Sequence, residues 1–199
     1  MTDQPQEKTT KPSKLSYLSQ GWLVLVLATC FGGLLAFVES NLKPKIESNK
    51  SSFAMSAIPE IVPGCVKGEA MEHNGQTIYR AVDAGGGLVG WVLAASGDGF
   101  ADRIEILIGL DRLAQQVTGL KVLSQKETPG LGAKIEKPDD FALQFASKSA
   151  ELPIGVTKSA PSGNQVGAIT GATVSSEAVA NILNAAVQAF RNDLPMEAR

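Results

Sequence analysis

The sequence is poor in the residues that build metal sites and disulfide frameworks. It has one histidine, His73, which excludes a site made from several histidines. Its two cysteines, Cys30 and Cys65, are too few for a disulfide scaffold, and Cys30 falls inside an apolar run. With 18 Lys and Arg against 20 Asp and Glu, the net charge is −2, so the chain lacks the basic excess of a general nucleic-acid binder. We therefore expect neither a metal centre nor a nucleic-acid partner.

Charged side chains are also missing from residues 15–38. At a helical rise of about 1.5 Å per residue, such a run spans roughly 27 to 36 Å, close to the thickness of a bilayer's hydrocarbon core. A cleaved signal peptide has a shorter apolar segment and a small-residue cleavage site, which Phe37-Val38-Glu39-Ser40 does not supply. We therefore predict a tail over residues 1–14 and a retained transmembrane helix over residues 15–39. Lysines are balanced on the two sides, so the charge bias does not fix the orientation of this helix.

The next segment, residues 40–75, is expected to be a juxtamembrane connector. Pro44 and Pro59 are expected to interrupt any helix there, because proline lacks the backbone N–H and disfavours helical geometry in the residue before it. From Gln76 onward the pattern indicates strands. Four short β-prone runs are separated by glycine-containing turns: residues 77–82, 87–95, 101–110 and 115–124. Their close spacing predicts an antiparallel meander.

Two helices are predicted after these strands. The first covers residues 139–148 and begins after a proline with two acidic residues, a usual start signal. In the second, apolar side chains recur three and four positions apart from Val179 to Phe190. The sequence therefore predicts an α+β fold: a single N-terminal transmembrane helix, then a domain over residues 76–199 with an antiparallel β meander and packed helices.

One motif follows the last predicted strand and reads Lys126-Glu127-Thr128-Pro129-Gly130-Leu131-Gly132. Pro129-Gly130 suits the central positions of a type II turn, in which glycine supplies the positive φ. Two interpretations are open. The segment is an ordinary turn with Glu127 as an exposed carboxylate at a strand end, or it is a backbone loop that approaches a flat ligand. In the second case Glu127 and Thr128 would add polar contacts.

A second motif, Thr170-Gly171-Ala172-Thr173, comes directly before the last predicted helix. Ser175 or Ser176 could serve as the N-cap of that helix, which would explain the serines but not the small residues between two threonines. A turn of small residues at a helix N-terminus exposes backbone N–H groups to an anion. The motif therefore indicates either an ordinary helix start or a phosphate site at Thr173.

The two motifs, in this order behind a membrane anchor, resemble the FMN-binding domain of the G subunit of the Rnf electron-transport complex. They resemble more distantly the C subunit of the sodium-pumping NADH:quinone reductase. The resemblance implies that a flavin transferase, using FAD and magnesium, attaches FMN covalently through its phosphate to the hydroxyl of Thr173. It also implies a set of cofactor-binding residues: Thr170, Gly171, Ala172 and Thr173 at the phosphate, and Glu127, Thr128, Leu131 and Gly132 near the flavin. No catalytic side chain is implied, because the flavin carries the redox chemistry.

The same resemblance implies electron transfer within a complex that couples ferredoxin/NAD redox chemistry to ion translocation. The expected location is the bacterial inner membrane, with the FMN-binding domain on the outer, periplasmic face and other membrane subunits of the complex as partners. The family motif commonly has an aspartate three positions before its first Ser or Thr, where this chain has Gly167. Two alternatives stay open: a structural or assembly subunit with an unmodified motif, and an extracytoplasmic module that binds flavin reversibly.

Overall fold

The computed structural model describes residues 14–73, 76–137 and 140–193. The chain divides into two compact units, residues 1–49 and 50–199. In the first unit, the described residues form the N-terminal part of helix α1 (Lys14–Ile61). Its most apolar window has a mean hydropathy of 2.2, and none of that window is buried. By length and composition this helix can cross a membrane, as the sequence predicts.

Helix α1 continues through Pro44 and Pro59 and ends at Ile61, so the predicted interruptions were wrong. The last turns of the helix belong to the second unit, where Ile58 and Ile61 are only 0% and 3% exposed. A proline removes one backbone hydrogen bond from a helix, and burial of these two side chains offsets that loss around Pro59. The helix stops just before Gly64, which has a φ of 81°.

The second unit is built on a five-stranded antiparallel sheet in which each strand pairs with its neighbour in sequence. The strands are β1 (Lys67–His73), β2 (Gln76–Val82), β3 (Leu88–Asp98), β4 (Arg103–Asp111) and β5 (Val117–Ser124). Strands β2 to β5 correspond to the four predicted runs, so the meander and the α+β fold class are confirmed. Strand β1 was not predicted, because it is an edge strand with only Gly68 buried and has no apolar alternation.

Helix α2 (Thr173–Asn192) is the predicted C-terminal helix, and its apolar side chains pack on the sheet. The helix predicted over residues 139–148 was wrong: its expected first residue lies outside the described residues, and only Ala142–Phe145 forms one turn of 3-10 helix. Ser147 N donates a hydrogen bond to Val117 O at 2.8 Å, which holds the following backbone along β5. This pairing with the sheet overrides the local helix signal.

The sheet is buried on both faces. One core cluster lies between the sheet and α2 and includes Ile106 and Ile108, and the other lies against the end of α1 and includes Ile58 and Leu107. Successive residues of a strand point to opposite faces, which explains why neighbours in β4 belong to different clusters. A short parallel pair precedes α2, formed by β6 (Gly155–Thr157) and β7 (Gln165–Gly167).

Candidate functional site

The two sequence motifs line one cavity. Its volume is about 330 Å³, within the range of roughly 300–1,000 Å³ that is typical of small-molecule sites. Its lining comes from the β3–β4 connection, the loop after β5 and the start of α2: Phe100, Glu127, Thr128, Leu131, Gly132, Gly171, Ala172, Thr173, Val174 and Ser175. Seven of the eight predicted cofactor-binding residues are in this set, and Thr170 is not. A second cavity, beside Arg103, is larger, with a volume of about 440 Å³. The candidate site is therefore distinguished by the motif residues that line it and not by its volume.

The loop after β5 contains the predicted turn. Leu131 N donates a hydrogen bond to Thr128 O at 3.1 Å. Gly130, at the third position of this turn, has a φ of 78°, as a type II turn requires. The turn leaves the side chains of Thr128 and Leu131 exposed at the cavity. An ordinary turn and a ligand-facing loop are therefore compatible interpretations of the same segment.

Glu127 is only 4% exposed, so the interpretation of this residue as an exposed carboxylate was wrong. Its Oε1 accepts hydrogen bonds from the backbone N–H groups of Phe100 at 2.9 Å and Ala101 at 3.0 Å. Its Oε2 accepts one from Ser175 Oγ at 2.6 Å. Burial by itself raises the pKa of Glu127, but the hydrogen bonds from Ser175 and these amides outweigh it and hold the pKa below its usual range. The carboxylate is therefore ionised and already bonded on both oxygens.

Helix α2 begins at Thr173, with Ala172 in the N-cap position and no side-chain hydrogen bond to the cap. The predicted N-cap role of Ser175 or Ser176 was wrong, since both lie inside the first turn. Ser176 Oγ instead donates to Ala172 O at 2.9 Å and accepts from Ile169 N at 3.1 Å. The start of this helix therefore offers backbone N–H groups and the positive end of the helix dipole to an anion.

The residues at the cavity fit a ligand that has a planar apolar ring and a phosphate. Phe100, Leu131 and Val174 are 68%, 45% and 52% exposed, and such a cluster of exposed apolar side chains is typical of a binding site. Gly171 has a φ of 81°, and a Cβ there would lie 3.0 Å from Leu131 Cδ2. Glycine at this position keeps the space between the two motifs open. FMN has both required features, a flat ring system and a phosphate.

The position where the family motif commonly has aspartate lies in strand β7. Gly167 N donates a hydrogen bond to Gln144 Oε1 at 2.6 Å. A Cβ at this glycine would lie 3.2 Å from the same oxygen. A neutral amide side chain therefore contacts the backbone at this position, where the family pattern would supply a carboxylate.

Cys65 and His73 do not line the cavity. Cys65 is buried, which raises the pKa of its thiol, and its Sγ lies 3.3 Å from Lys67 O. His73 Nε2 lies 2.7 Å from Asp193 O. Within residues 14–73, 76–137 and 140–193, no three His, Cys, Asp or Glu residues are grouped so that they could hold a metal ion.

Several known proteins are similar to this chain. The sequence model of a family described as "FMN-binding domain" matches residues 99–188, which include the whole cavity lining. The chain is 31% identical over 172 residues to the G subunit of the ion-translocating oxidoreductase complex of Methanosarcina acetivorans, covering 82% of this chain and 89% of that protein. It is 33% identical over 115 residues to the G subunit of the proton-translocating ferredoxin:NAD(+) oxidoreductase complex of Clostridium ljungdahlii, covering 58% of this chain and 60% of that protein. The crystal structure of Shewanella oneidensis NqrC is similar in fold, with a TM-score of 0.53, 20% identity and 60% of each chain covered.

Proposed function

The chain belongs to the family of G subunits of ion-translocating oxidoreductase complexes, and on that premise we propose that it is the membrane-anchored flavoprotein subunit of such a complex. FMN, when bound, supplies the redox chemistry, and the chain holds and orients it. A relative is named as a subunit of a ferredoxin:NAD(+) oxidoreductase complex. The proposed activity is therefore electron transfer within a complex that couples ferredoxin/NAD redox chemistry to ion translocation. The isolated chain is expected to catalyse little by itself.

The observation that carries the proposal is the convergence of both motifs on one cavity, with Thr173 at the start of α2. Thr173 is partly exposed and lines the cavity. A phosphate esterified to its hydroxyl would lie near the backbone N–H groups of the first helical turn, where negative charge is stabilised. The exposed apolar side chains of Phe100, Leu131 and Val174 would hold the flavin ring. Glu127, Thr128 and the small residues of the two motifs would complete the site.

We propose that a flavin transferase forms the attachment from FAD in the presence of magnesium. The Thr173 hydroxyl attacks the phosphorus on the FMN side of the pyrophosphate. The pyrophosphate bond breaks, AMP leaves and the hydroxyl proton is released. The product is FMN joined to the chain by a phosphoester. Covalent attachment prevents cofactor loss from a domain that faces a compartment without a flavin supply.

The proposed organisation follows from this function. A tail precedes a transmembrane helix, predicted over residues 15–39. Because β1 and the last turns of α1 belong to the same compact unit as the rest of the sheet, we extend the FMN-binding domain, predicted over residues 76–199, into the predicted connector over residues 40–75 as far as residue 50. The proposed location of this domain is the outer, periplasmic face of the inner membrane. Its partners are the other membrane subunits of the complex.

Replacing Thr173 tests the attachment. The full chain is expressed together with a flavin transferase, denatured, and examined in a gel for flavin fluorescence. We expect a fluorescent band from the wild type and from the control variant Thr77→Ala, whose threonine is exposed on β2 outside the cavity lining, and no fluorescence from Thr173→Ala. Fluorescence that persists in Thr173→Ala would contradict attachment at this residue.

The same experiment separates the two alternative functions. A wild-type chain that binds flavin when folded but releases it on denaturation would be a reversible flavin-binding module. A chain that carries no flavin in either state, despite an active transferase, would be a structural or assembly subunit. Gly167 in place of the usual aspartate is the observation that favours this second candidate.

A further inference from the structure

Buried polar side chains are concentrated at one place in the molecule. In the part of the chain that the structure describes, and apart from the largely apolar side chains of Tyr79, Trp91 and Cys65, three residues with polar or charged side chains are buried: Glu127, Ser175 and Ser176. Two of them belong to the first turns of α2, and the third is hydrogen-bonded to that helix. Burial of polar groups is costly unless they are hydrogen-bonded, and buried charged groups cluster at functional sites. This concentration therefore requires an explanation beyond packing.

The Glu127 carboxylate joins three segments of the cavity wall. Its backbone lies in the loop after β5, one oxygen binds two amides of the β3–β4 connection, and the other oxygen binds Ser175 in α2. These three hydrogen bonds join the carboxylate to other parts of the same chain. Hydrogen bonds to an ionised acceptor are roughly twice as strong as neutral ones. The start of α2 is thus held to two other loops by one charged group.

Two glycines leave space for this carboxylate. A Cβ on Gly99 would collide with Glu127 Oε1. A Cβ on Gly132 would lie 2.8 Å from Glu127 Oε2 and 2.7 Å from Ser175 Oγ. A Cβ on Gly130, by contrast, would have no neighbour within 4 Å. The last glycine of the first motif is therefore required by the pair of Glu127 and Ser175, and not only by the cavity.

We propose that Glu127 is a positioning residue for FMN attachment: its bond with Ser175 holds the first turn of α2 so that the Thr173 hydroxyl stays at the edge of the cavity. This inference rests on the proposed function. Glutamine has nearly the same shape but is neutral, so the bonds to Phe100 and Ala101 would lose their charge assistance. Its NH₂ group would face Ser175 as a donor, so the present bond from the Ser175 hydroxyl to a carboxylate would be replaced by a weaker bond between neutral groups.

The kinetic test uses the full chain, produced without transferase and kept in detergent. Purified flavin transferase, FAD and magnesium are then added, and the initial rate of attachment is measured as the chain concentration is varied. The variants are Glu127→Gln, Ser175→Ala and the double variant, with Glu72→Gln as the control because Glu72 is an exposed carboxylate on β1, outside the cavity lining. Circular dichroism at the assay temperature establishes that each variant is folded.

We expect the maximal rate to fall about tenfold or more in each single variant, as for a misplaced reacting group. The chain concentration at half-maximal rate should stay unchanged. The double variant should lose little more than the single variants, because both remove the same charge-assisted hydrogen bond between Glu127 and Ser175. Glu72→Gln should match the wild type. Folded variants that react at the wild-type rate would overturn the proposal.

Amide hydrogen exchange of the unmodified chain supplies a readout that does not need flavin. In Glu127→Gln we expect faster exchange at Phe100, Ala101 and Ser176, whose N–H groups are hydrogen-bonded in the wild type, with no change in the second half of α2. Unchanged exchange at these amides would overturn the proposal whether or not flavin is attached. If exchange changes as expected but the wild type accepts no flavin, the proposed function fails and the positioning of α2 by Glu127 stands.

Discussion

Two regions of the second unit are built from different interactions. The cluster between the sheet and the end of α1 is apolar, and the ion pairs Lys50–Glu105 and Lys121–Glu60 join that helix to the sheet through partly exposed side chains. The cluster at the start of α2 contains a buried carboxylate and two buried hydroxyls. Apolar burial is non-directional, whereas hydrogen bonds constrain distance and angle. The first region therefore mainly stabilises the fold, and the second fixes the geometry of the site.

The largest effect on stability is expected in the apolar region. Ile58 is 0% exposed, and Ile58→Ala should lower the free energy of unfolding by about 2–5 kcal/mol because it leaves a cavity. Denaturant unfolding of the full chain measures this loss. The exposed control Val66→Ala should change stability by less than about 0.5 kcal/mol. A folded Ile58→Ala chain that accepts less flavin than the wild type would break the distinction between the two regions.

A smaller effect on stability and a larger effect on the site are expected from Gly132→Ala. The added methyl group would press on Glu127 and Ser175, at a cost of about 1–3 kcal/mol, and should slow flavin attachment. Gly130→Ala is the matched control, since the new methyl group meets open space and the cost of about 1–2 kcal/mol comes from its positive φ. If both variants slow attachment equally, the special role of Gly132 is wrong.

The pH dependence of stability should show the contribution of Glu127. Since its pKa in the folded state lies below the ordinary value of about 4.3, its stabilising contribution is complete above that value and is lost as the pH falls through the folded-state pKa. The difference in unfolding free energy between the wild type and Glu127→Gln should therefore be constant near neutral pH and shrink below about pH 4. Urea unfolding at a series of pH values measures it. A difference that is constant down to acid pH would mean that Glu127 is not the ionised group described above.

The smallest effect is expected at Lys126, although it belongs to the first motif. Its ion pair with Asp102, at 2.9 Å, is exposed, and exposed pairs contribute little to stability. Lys126→Gln should leave both unfolding and flavin attachment unchanged within error. Loss of attachment in this variant would extend the site to the motif's first residue.

The sequence predicted a helix or strand correctly where its apolar pattern matches the burial of that element in the folded chain. Strands β2 to β5 have apolar runs, glycine-containing turns separate β2 from β3 and β3 from β4, and α2 has a clear helical repeat. Strand β1 was not predictable, because an edge strand with exposed side chains has no apolar alternation. Residues 142–145 have a helical composition, but backbone bonding of the next residues to β5 limits them to a single turn. Both predictions failed because these segments take their structure from contacts with distant parts of the chain.

The site was predictable as a set of motif residues but not as a set of interactions. Seven of the eight predicted residues line one cavity, and their roles as cofactor contacts stay predictions. The environment of Glu127 was not foreseen, because its partners Ala101, Phe100 and Ser175 are 26, 27 and 48 positions away in sequence. Phe100 and Val174 were missed for a related reason: an apolar residue in a turn or on an exposed helix face gives no local signal until the fold places it beside a cavity.

The central claim is that Thr173 carries FMN as a phosphoester. Mass spectrometry of the proteolysed chain, purified from membranes that contain an active flavin transferase, tests this claim most directly. We predict that the peptide containing Thr173 is heavier by one FMN less one water, and that fragmentation assigns the added mass to Thr173. An unmodified Thr173 peptide, or the added mass on another residue, would contradict the account.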